Sequence, residues 1–392
     1  MTQMITPKKQ PLQVADIFDN HIADYQKTYP LWPEHKKIAS DLLKCRTSLL
    51  GGRIERCDNC AALRFTYHSC RNRHCPQCQH MPRERWLAKR KEEILPVSYF
   101  HVVFTLPHEL NTVILNNKKV MFNILFAAAS KTLLRFSENE FNGTPGFLAI
   151  LHTWDQKLHA HFHLHCIIAA GAVSMDGKSW IACKNTYLFN QDALALVFRG
   201  KFIQRMDQAC KSENLNFADN SYEKFKNTLF TKNWVVSVRD PVNRPEYVLE
   251  YLARYTHRVA IANSRIKALK DGMVTFSAKN RKKNRTELIT ISAVEFIRRF
   301  LLHSLPKGFV KIRHYGFLAN RNRAKNLKTI RLLMGVTQPA ANDIAALEEM
   351  MQTLTGIDIT ICPCCKKGKM KLFTEVSIYR PRAPNSLLGA VA

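Results

Sequence analysis

The residues most able to do chemistry form a short run, QKLHAHFHLHCIIAAG, at positions 156–171. The run places histidines at every second position, namely His159, His161, His163 and His165. Apolar residues stand between them, and a period of two indicates a strand whose alternate side chains share one face. The segment would therefore present a row of imidazoles, which bind divalent metals and act as general acids or bases.

A single ion can use only two neighbouring members of this histidine row. Ligands two residues apart are already about 6.6 Å apart along a strand, so the row predicts one metal pair with two further histidines. The alternative is a row of imidazoles that are merely exposed or satisfied by hydrogen bonds. Four histidines in register favour the chemical interpretation.

Two CxxC pairs in the stretch CDNCAALRFTYHSCRNRHCPQCQ predict a zinc site. Cys57 with Cys60, and Cys75 with Cys78, are separated by fourteen residues, a spacing close to that of paired zinc knuckles. Thiolates two residues apart on a tight turn can both reach one Zn²⁺ at about 2.3 Å, and two such turns complete a tetrahedron. We therefore predict that these four cysteines hold a structural zinc, in a module that either contacts DNA or only stabilises the fold.

The spacing does not decide the roles of four other potential metal ligands. Cys70 and His74 lie inside the loop between the two pairs and could bind a second ion or replace one of the four ligands. Cys362 and Cys365 form half a zinc site, which would need ligands from elsewhere in the chain or stay empty. The twelve cysteines cluster in CxxC spacings, which fit metal binding in a reducing compartment better than disulfides.

The segment EYVLEYLARYTHR predicts a helix that carries regularly spaced tyrosines. Tyr247, Tyr251 and Tyr255 recur every four residues and so lie along one helix face. Such an aromatic stripe is usually part of a core. The chemical alternative is that a tyrosine hydroxyl attacks a DNA phosphodiester, forming a covalent phosphotyrosine, while an ion held by two imidazoles offsets the charge of the phosphate.

The composition favours a globular protein that binds a polyanion. The chain has 392 residues, 46% of them hydrophobic, and a formal net charge of +28. Such an excess of positive charge most often serves to bind nucleic acid. The alternative is a basic surface with no such partner. The first ten residues contain no apolar core typical of a signal peptide, and no run of about 18 apolar residues predicts a membrane span. We expect a cytoplasmic, nucleoid-associated protein.

Periodicity predicts alternating helices and strands that surround these motifs. Helices are expected in two pieces within 12–47 (interrupted by Pro30 and Pro33), at 109–137, within an insertion at 172–233, after Pro245, at 293–302 and at 321–331. Strands are expected from Tyr99 to Pro107, at 147–154 after a turn at 143–146, at the histidine row, at 234–238, in a hairpin of 273–276 with 287–291, and at 310–313. Residues from 379 on are expected to be disordered.

The order of these parts resembles the two-tyrosine HUH transposases of the IS91 group, which move insertion sequences by a rolling-circle route. The resemblance covers roughly residues 35–335. The matching segments are SCRNRHCPQCQ (69–79), HVVFTLPHELN (101–111), HFHLHC (161–166), YLARYTHRVAI (251–261) and IRHYGFLANRNR (312–323). One departure is Phe162, where the family commonly has proline.

The resemblance implies a set of site residues. The family's His-hydrophobe-His motif falls on His163 and His165, and its pair of nucleophiles falls on Tyr251 and Tyr255. These enzymes use Mg²⁺ or Mn²⁺ and take a third ligand from a neighbouring segment. In some relatives of the fold this ligand precedes the motif by seven residues, which selects Gln156, with Asp155 and His161 as alternatives.

The implied fold is α+β, an HUH-type palm core of antiparallel sheet flanked by helices, with an N-terminal helical zinc-binding module. We expect that module at 1–95, the catalytic domain at 96–340 and a partly disordered tail at 341–392. The partner would be single-stranded DNA at transposon ends and targets. The candidate contacts to DNA are the basic residues Arg71, Arg73, Arg254, Arg258, Lys282, Lys283, Arg313, Arg321 and Arg323.

Three other readings compete with this one. HFHLHC also fits the pattern of small histidine-triad nucleotide hydrolases, which need neither a zinc module nor a strong positive charge. A non-catalytic zinc DNA-binding regulator would share the charge and the cysteines. A rolling-circle replication initiator or relaxase would share the chemistry but serve plasmid replication or transfer. A covalent adduct with DNA would exclude the first two.

Overall fold

The computed structural model describes residues 11–183, 188–212, 214–215, 217, 221–242, 247–248, 251, 259–280, 283–337 and 347–377, and the backbone of 4–5. Most of the predicted tyrosine helix lies outside these residues, and so do Tyr255, Arg254, Arg258, Lys282 and the segment after 377.

The described residues form ten α-helices and thirteen strands, and Tyr247, Val248 and Tyr251 are also helical. The helices are α1 (Val14–Thr28), α2 (Pro33–Lys44), α3 (His80–Lys91), α4 (Asn111–Asn116), α5 (Lys118–Phe141), α6 (Gln191–Lys211), α7 (Ser221–Thr231), α8 (Ala293–Leu302), α9 (Arg323–Leu333) and α10 (Leu347–Thr355). The strands are β1 (Met4–Ile5), β2 (Gly52–Cys57), β3 (Leu63–Tyr67), β4 (Tyr99–Thr105), β5 (Gly143–Trp154), β6 (Ala160–Ser174), β7 (Trp180–Ala182), β8 (Val235–Val242), β9 (Ile266–Lys270), β10 (Met273–Asn280), β11 (Arg285–Ser292), β12 (Ile312–Gly316) and β13 (Met370–Val376).

A central antiparallel sheet carries the histidine row. Its strand order is β12-β5-β6-β4-β8, and β7 pairs with the end of β6. The alternation of β6 divides the sheet into two faces. One face carries Phe162, Leu164 and Cys166, which are buried in the largest core beneath α5 and α6. The other face carries the imidazoles.

Burial of the apolar face holds the sheet against its helices. Phe104 of β4, Phe147 of β5 and Phe162 of β6 are each almost completely inaccessible to solvent. Full burial of such a side chain stabilises the fold by about 1.5–3 kcal/mol. Among the described residues α5 is the one helix long and apolar enough to cross a membrane. It contacts β5 and α6, with 61% of its most apolar window buried, as is usual for a core helix.

A second core joins the N-terminal helices to the segment that follows the tyrosines. α1 packs against α8, with the rings of Phe18 and Phe300 edge to face at 5.5 Å. The sheet β9-β10-β11 contributes Val274 and Phe276 to the same cluster. The helical part of the N-terminal module and residues 260–301 are therefore packed together in one core.

The N-terminal sheet, with the order β1-β3-β2-β13, contains strands from both ends of the chain. β2 and β3 form a hairpin, and β13 pairs antiparallel with β2 from Met370 opposite Cys57 to Val376 opposite Gly52. No helix or strand was predicted in the partly disordered tail at 341–392. The structure has α10 and β13 within this tail.

The α+β fold class with its antiparallel sheet is confirmed, and so are α1, α2, α8, the histidine strand and the hairpin of β10 with β11. The predicted turn at 143–146 is wrong, because β5 begins at Gly143. Pro145 lies at an irregularity in the pairing with β6, where a missing N–H is tolerated. The predicted helix at 109–137 is divided at Asn117. The predicted insertion at 172–233 contains β7 as well as α6 and α7.

Replacement of Gly316 by alanine should separate β12 from β5. Gly316 has φ of +60°, and a Cβ there would lie 1.6 Å from the carbonyl oxygen of Pro145. Gly308 is a matched control, since its φ is +72° but nothing lies within 4 Å of its Cβ position. Both changes incur left-handed strain of about 1–2 kcal/mol. We expect Gly316→Ala to lower the free energy of unfolding by at least about 2 kcal/mol more than Gly308→Ala, as measured by urea denaturation. Equal losses would contradict the predicted clash.

Candidate active site and zinc centres

The register of three strands assembles the imidazoles. His163 on β6 is opposite His152 on β5 and Thr105 on β4. His165 is opposite Ile150 and Val103 on the same strands. His101, two residues before Val103, lies on the same face of β4. Residues far apart in the sequence therefore converge on one face of the sheet.

His152, His163 and His165, called the imidazole site below, can direct nitrogens to one point. One ligand nitrogen from each lies within 4.8 Å of the others, and all three residues are buried. The Nε2 atoms of His163 and His165 are 3.1 Å apart. Two ligands bound at a right angle with bonds of about 2.1 Å would be about 3 Å apart, so this separation fits one divalent ion.

Neighbouring groups keep the ligand nitrogens of this site available. Nδ1 of His163 is 3.0 Å from the carbonyl oxygen of His161 and can only donate to it, which leaves the Nε2 lone pair free to bind a metal. Burial, with adjacent imidazoles and Arg239, lowers the pKa of His165 well below its ordinary value. The neutral form that binds metals is thereby favoured.

A tyrosine is connected to the imidazole site by one further histidine. The Tyr251 hydroxyl is 2.5 Å from Nδ1 of His101. Nε2 of His101 is 2.8 Å from Nδ1 of His165, and the two rings stack with centroids 5.0 Å apart. His101 itself is buried. Tyr251, His101 and His165 thus form a continuous hydrogen-bonded series that ends at the predicted metal position.

The imidazole site opens into a basic cavity of about 530 Å³. Its lining includes Lys157, Arg239 and Lys279 in addition to the imidazoles. Gln156 also lines this cavity, but its side-chain oxygen faces the backbone N–H of Lys279 at 3.5 Å. The structure therefore brings His152 together with His163 and His165, whereas Gln156 stays a predicted ligand. The cause is the pairing of β5 with β6, which puts residue 152 directly across from residue 163.

His159, His161 and Tyr247, the other described members of the histidine row and the tyrosine stripe, are not among the three grouped imidazoles. His159 is 3.0 Å from a carboxylate oxygen of Asp155 and 3.0 Å from the guanidinium of Arg299. His161 is exposed at the cavity wall. Tyr247 is 49% exposed, so the interpretation of this residue as core is wrong.

The cysteines form two sets. The first cysteine set is Cys45, Cys70, Cys75 and Cys78, and the second is Cys57, Cys60, Cys362 and Cys365. Tetrahedral zinc with bonds of about 2.3 Å requires sulfur atoms about 3.8 Å apart. The measured Sγ–Sγ distances are 3.5–3.6 Å in the first set and 3.7 Å in the second. Both sets fit a structural zinc.

Backbone N–H groups surround the sulfurs of the second cysteine set. Asn59 and Cys60 donate to Cys57 Sγ, and Gly368 donates to Cys365 Sγ at 3.3 Å. The backbone N–H groups of Gly368 and Lys367 lower the pKa of Cys365 to about 6, which favours the thiolate that binds zinc. Gly368 approaches so closely that a Cβ there would lie 2.5 Å from Cys57 Sγ.

The predicted zinc site of Cys57, Cys60, Cys75 and Cys78 is therefore wrong as one set. Cys57 and Cys60 lie at the tip of the β2–β3 hairpin, whereas Cys75 and Cys78 follow its open end. Five paired residues separate the two ends, a distance of roughly 15 Å. Cys70 completes the first set, as one alternative allowed. His74 instead accepts from the backbone N–H of Leu305, and burial lowers its pKa to about 3.

Sequence reasoning missed His101, His152 and Cys45. Each carried a weak signal: both histidines interrupt apolar strand segments, and Cys45 is an isolated cysteine at the end of α2. None has a short-range motif, because each reaches its site through pairing or packing with a distant segment. For the second set, the C-terminal half was recognised but its partners were not.

The candidate DNA contacts divide into exposed and internal residues. Arg71, Lys283 and Arg321 are exposed. Arg73 donates to the carbonyl of Phe309 at 2.6 Å, and Arg323 pairs with Glu93 at 3.1 Å. Arg313 donates to Asn123 and lies over the ring of Phe126. Arg73 and Arg323 thus also stabilise the fold, and their contact with DNA stays a prediction.

Two independent zinc ions should be bound per chain. The double change Cys362→Ser and Cys365→Ser should remove one of them, since two ligands cannot hold structural zinc. The matched change Cys75→Ser and Cys78→Ser should remove the other. Metal analysis of each purified protein checks this. Retention of the full wild-type zinc after loss of Cys362 and Cys365 would show that these residues are not ligands.

Comparison with known proteins identifies two matching families. Residues 146–326 match a family described as a putative transposase, and residues 17–106 match a transposase zinc-binding domain. The second match includes the first cysteine set and ends well before Cys362.

Curated relatives extend over nearly the whole chain. A putative transposase, y4qJ, of Sinorhizobium fredii is 39% identical over 373 residues, covering 91% of this chain and 94% of the relative. The transposase for insertion sequence element IS801 of Pseudomonas savastanoi pv. phaseolicola is 22% identical over 345 residues, covering 84% and 81%. The conjugative relaxase TrwC, solved in complex with mutant OriT DNA, covers 61% of this chain and 75% of its own at 12% identity and a TM-score of 0.22. That similarity is too low to carry any feature across. The two family matches and the near full-length relative show that this chain belongs to the transposases of the IS91 group.

Proposed function

We propose that this transposase cleaves and rejoins single-stranded DNA by attack of Tyr251 on a phosphodiester, forming a 5′-phosphotyrosine, in rolling-circle transposition of an insertion sequence. The observation that carries the proposal is the contact of the Tyr251 hydroxyl with His101, which in turn contacts His165 of the imidazole site. A nucleophile and a metal position that share one bridging side chain are expected of metal-assisted phosphoryl transfer.

The imidazole site is suited to Mg²⁺ or Mn²⁺. His163 and His165 would be two ligands, and His152 takes the place we had expected for Gln156. When bound, the ion would act as a Lewis acid on the scissile phosphate and offset the charge that develops there. Neutral ligands leave the full charge of the ion for this purpose, and the cavity leaves room for a phosphate beside it.

His101 holds the nucleophile in position. With Nε2 of His165 directed at the metal position, its Nδ1–H donates to Nε2 of His101. The Nδ1–H of His101 then donates to the Tyr251 oxygen, while the ring is fixed by stacking on His165. A buried and stacked imidazole fixes the direction of that bond, and this limits the positions that the phenolic oxygen can occupy. Orientation of this kind supplies a large share of the rate enhancement in reactions of bound partners.

The proposed step conserves the phosphodiester bond energy. Tyr251 Oη forms a bond to phosphorus as the bond from phosphorus to the 3′-oxygen breaks. The phenolic proton passes to water, and the 3′-oxygen takes a proton from water to become a free hydroxyl. Attack by a 3′-hydroxyl on the phosphotyrosine later reverses these changes and rejoins DNA without ATP. Tyr255, four residues on, is the proposed second nucleophile for another strand end.

The cavity supports a single strand as substrate. The ligand imidazoles are buried beneath it, so a phosphate must enter the recess to reach them. Lys157, Lys279 and Arg239 line this route and provide the charge to bind the backbone. An unpaired strand can bend into such a recess more easily than a stiff duplex can.

Loss of the Tyr251 hydroxyl should prevent formation of the phosphotyrosine or shift it to Tyr255. Tyr251→Phe should reduce the 5′-phosphotyrosine adduct at least about a hundredfold when Tyr255 is also changed to phenylalanine. The substrate is single-stranded DNA from the element's own end with Mg²⁺ or Mn²⁺, and the adduct is resolved by denaturing electrophoresis. Tyr247→Phe is the matched control and should retain wild-type adduct. An undiminished adduct in the double variant would exclude the assigned nucleophiles.

The third metal ligand can be tested by comparing His152 with Gln156. His152→Ala should raise the Mn²⁺ concentration for half-maximal adduct formation at least about tenfold. Gln156→Ala should change it by less than about twofold, because its side-chain oxygen faces the backbone N–H of Lys279. Thermal melting of both variants controls for folding. The reverse order of effects would restore Gln156 as the ligand.

A further inference from the structure

One face of the N-terminal sheet carries exposed aromatic side chains far from the active site in the sequence. We propose that this face, called the aromatic face below, binds single-stranded DNA by stacking bases on Phe65, Tyr67 and Phe373. The inference deepens the proposed function, on which it rests for the nature of the substrate, and it adds a DNA-binding surface outside the catalytic cavity.

Strand register, together with one side-chain contact, puts the three rings on the same face. Phe65 and Tyr67 alternate along β3 and therefore point the same way, and Phe65 is directly opposite Ile54 of β2. On the other side of β2, Ile54 is paired with Thr374. The pairing is irregular between Leu372 and Thr374, so the face of Phe373 is assigned from its side-chain contact.

The placement of Phe373 is supported by a side-chain contact. The Arg56 guanidinium lies over its ring, 5.6 Å from the centroid. Arg56 is two residues from Ile54 on β2, so the two share a face, and Arg56 is paired with Lys371 of β13. The aromatic face therefore also carries two cations.

Exposure of these rings is unusual for a sheet. Phe65 and Tyr67 are each 40% exposed, and Phe373 is 57% exposed. Isolated exposed apolar residues require no explanation, but three aromatic rings on one face mark an interaction site. The rings on β3 and β13 are two strand spacings apart, about 10 Å, and so can contact different bases of one strand.

The chemistry of the surface selects single-stranded nucleic acid. Aromatic rings stack with any unpaired base, and cations between them contact the phosphates that join the bases. In a duplex the faces of the bases are already stacked on one another and are not available. A net charge of +28 for the chain favours a polyanion over a neutral or basic protein surface.

The second cysteine set holds this surface together. Cys57 ends β2, and Met370 at the start of β13 is opposite it, while Cys362 and Cys365 precede β13. Zinc at this set would therefore fix β13 against β2 and bring Phe373 beside the rings of β3. A zinc site that connects β13 to the β2–β3 hairpin would thus support the binding surface as well as the stability of the fold.

Binding of a fluorescent single strand of about 20 nucleotides by the full chain tests the proposal. Phe65→Leu, Tyr67→Leu and Phe373→Leu together keep apolar side chains on the sheet but remove stacking. Measured by anisotropy without divalent metal, this variant should bind at least about tenfold more weakly than wild type. Its dependence on salt should be unchanged, because stacking releases no counterions. Arg56→Gln should instead weaken the salt dependence.

The matched control changes the opposite face at adjoining positions. Thr66→Ala with Leu372→Ala should bind within about twofold of wild type, since Leu372 is also exposed but lies across the sheet. All variants should retain two zinc ions. If the leucine variant binds as tightly as wild type, or if the control loses as much, the stacking surface is wrong.

The outcome is separable from that of the proposed function. An intact tyrosine adduct with unchanged binding by the leucine variant would overturn the aromatic face alone. Ring-dependent binding by a wild-type protein that forms no adduct would retain this surface and refute the cleavage chemistry.

Discussion

The antiparallel register that joins β5, β6 and β4 is the constraint on which the active site depends. A slip of one residue would turn every imidazole of β6 toward the helices and every phenylalanine toward the cavity. The apolar face prevents such a slip, because Phe162, Leu164 and Cys166 are buried in the main core. The hydrophobic effect that folds the sheet thereby also determines the direction of the metal ligands.

The same register limits what could be inferred from the sequence. The alternation of His163 and His165 is local, so the strand and its two faces could be predicted from spacing, whereas the choice of the ligand pair came from the family resemblance. His152 and His101 come from other strands. Their positions depend on where β5 and β4 pair with β6, and on an irregularity in the pairing after His152. No spacing in the sequence specifies those alignments, so a neighbour in the chain, Gln156, was selected in place of a neighbour across the sheet.

The cysteines illustrate the same limit in a different way. Spacing correctly identified CxxC pairs as parts of zinc centres, but the regular hairpin between them keeps the two pairs apart. Each pair is completed by residues that a local motif does not include. The basic residues show a related limit: a guanidinium can bond a carbonyl or carboxylate of the protein as well as a phosphate, as Arg73 and Arg323 do. Their surroundings, and not their charge, determine which role they have.

The two cysteine sets differ greatly in how much chain they enclose. Cys45 and Cys78 are 33 residues apart, whereas Cys60 and Cys362 are 302 residues apart. During synthesis the first set can close as soon as the N-terminal module has emerged, but the second must wait until Cys362 and Cys365 have been made. Since the entropy of loop closure grows only slowly with length, the longer loop remains accessible to a metal. Completion of the second centre therefore requires that the intervening catalytic sheet has been synthesised. It also requires that the β2–β3 hairpin has met the segment of Cys362 and Cys365.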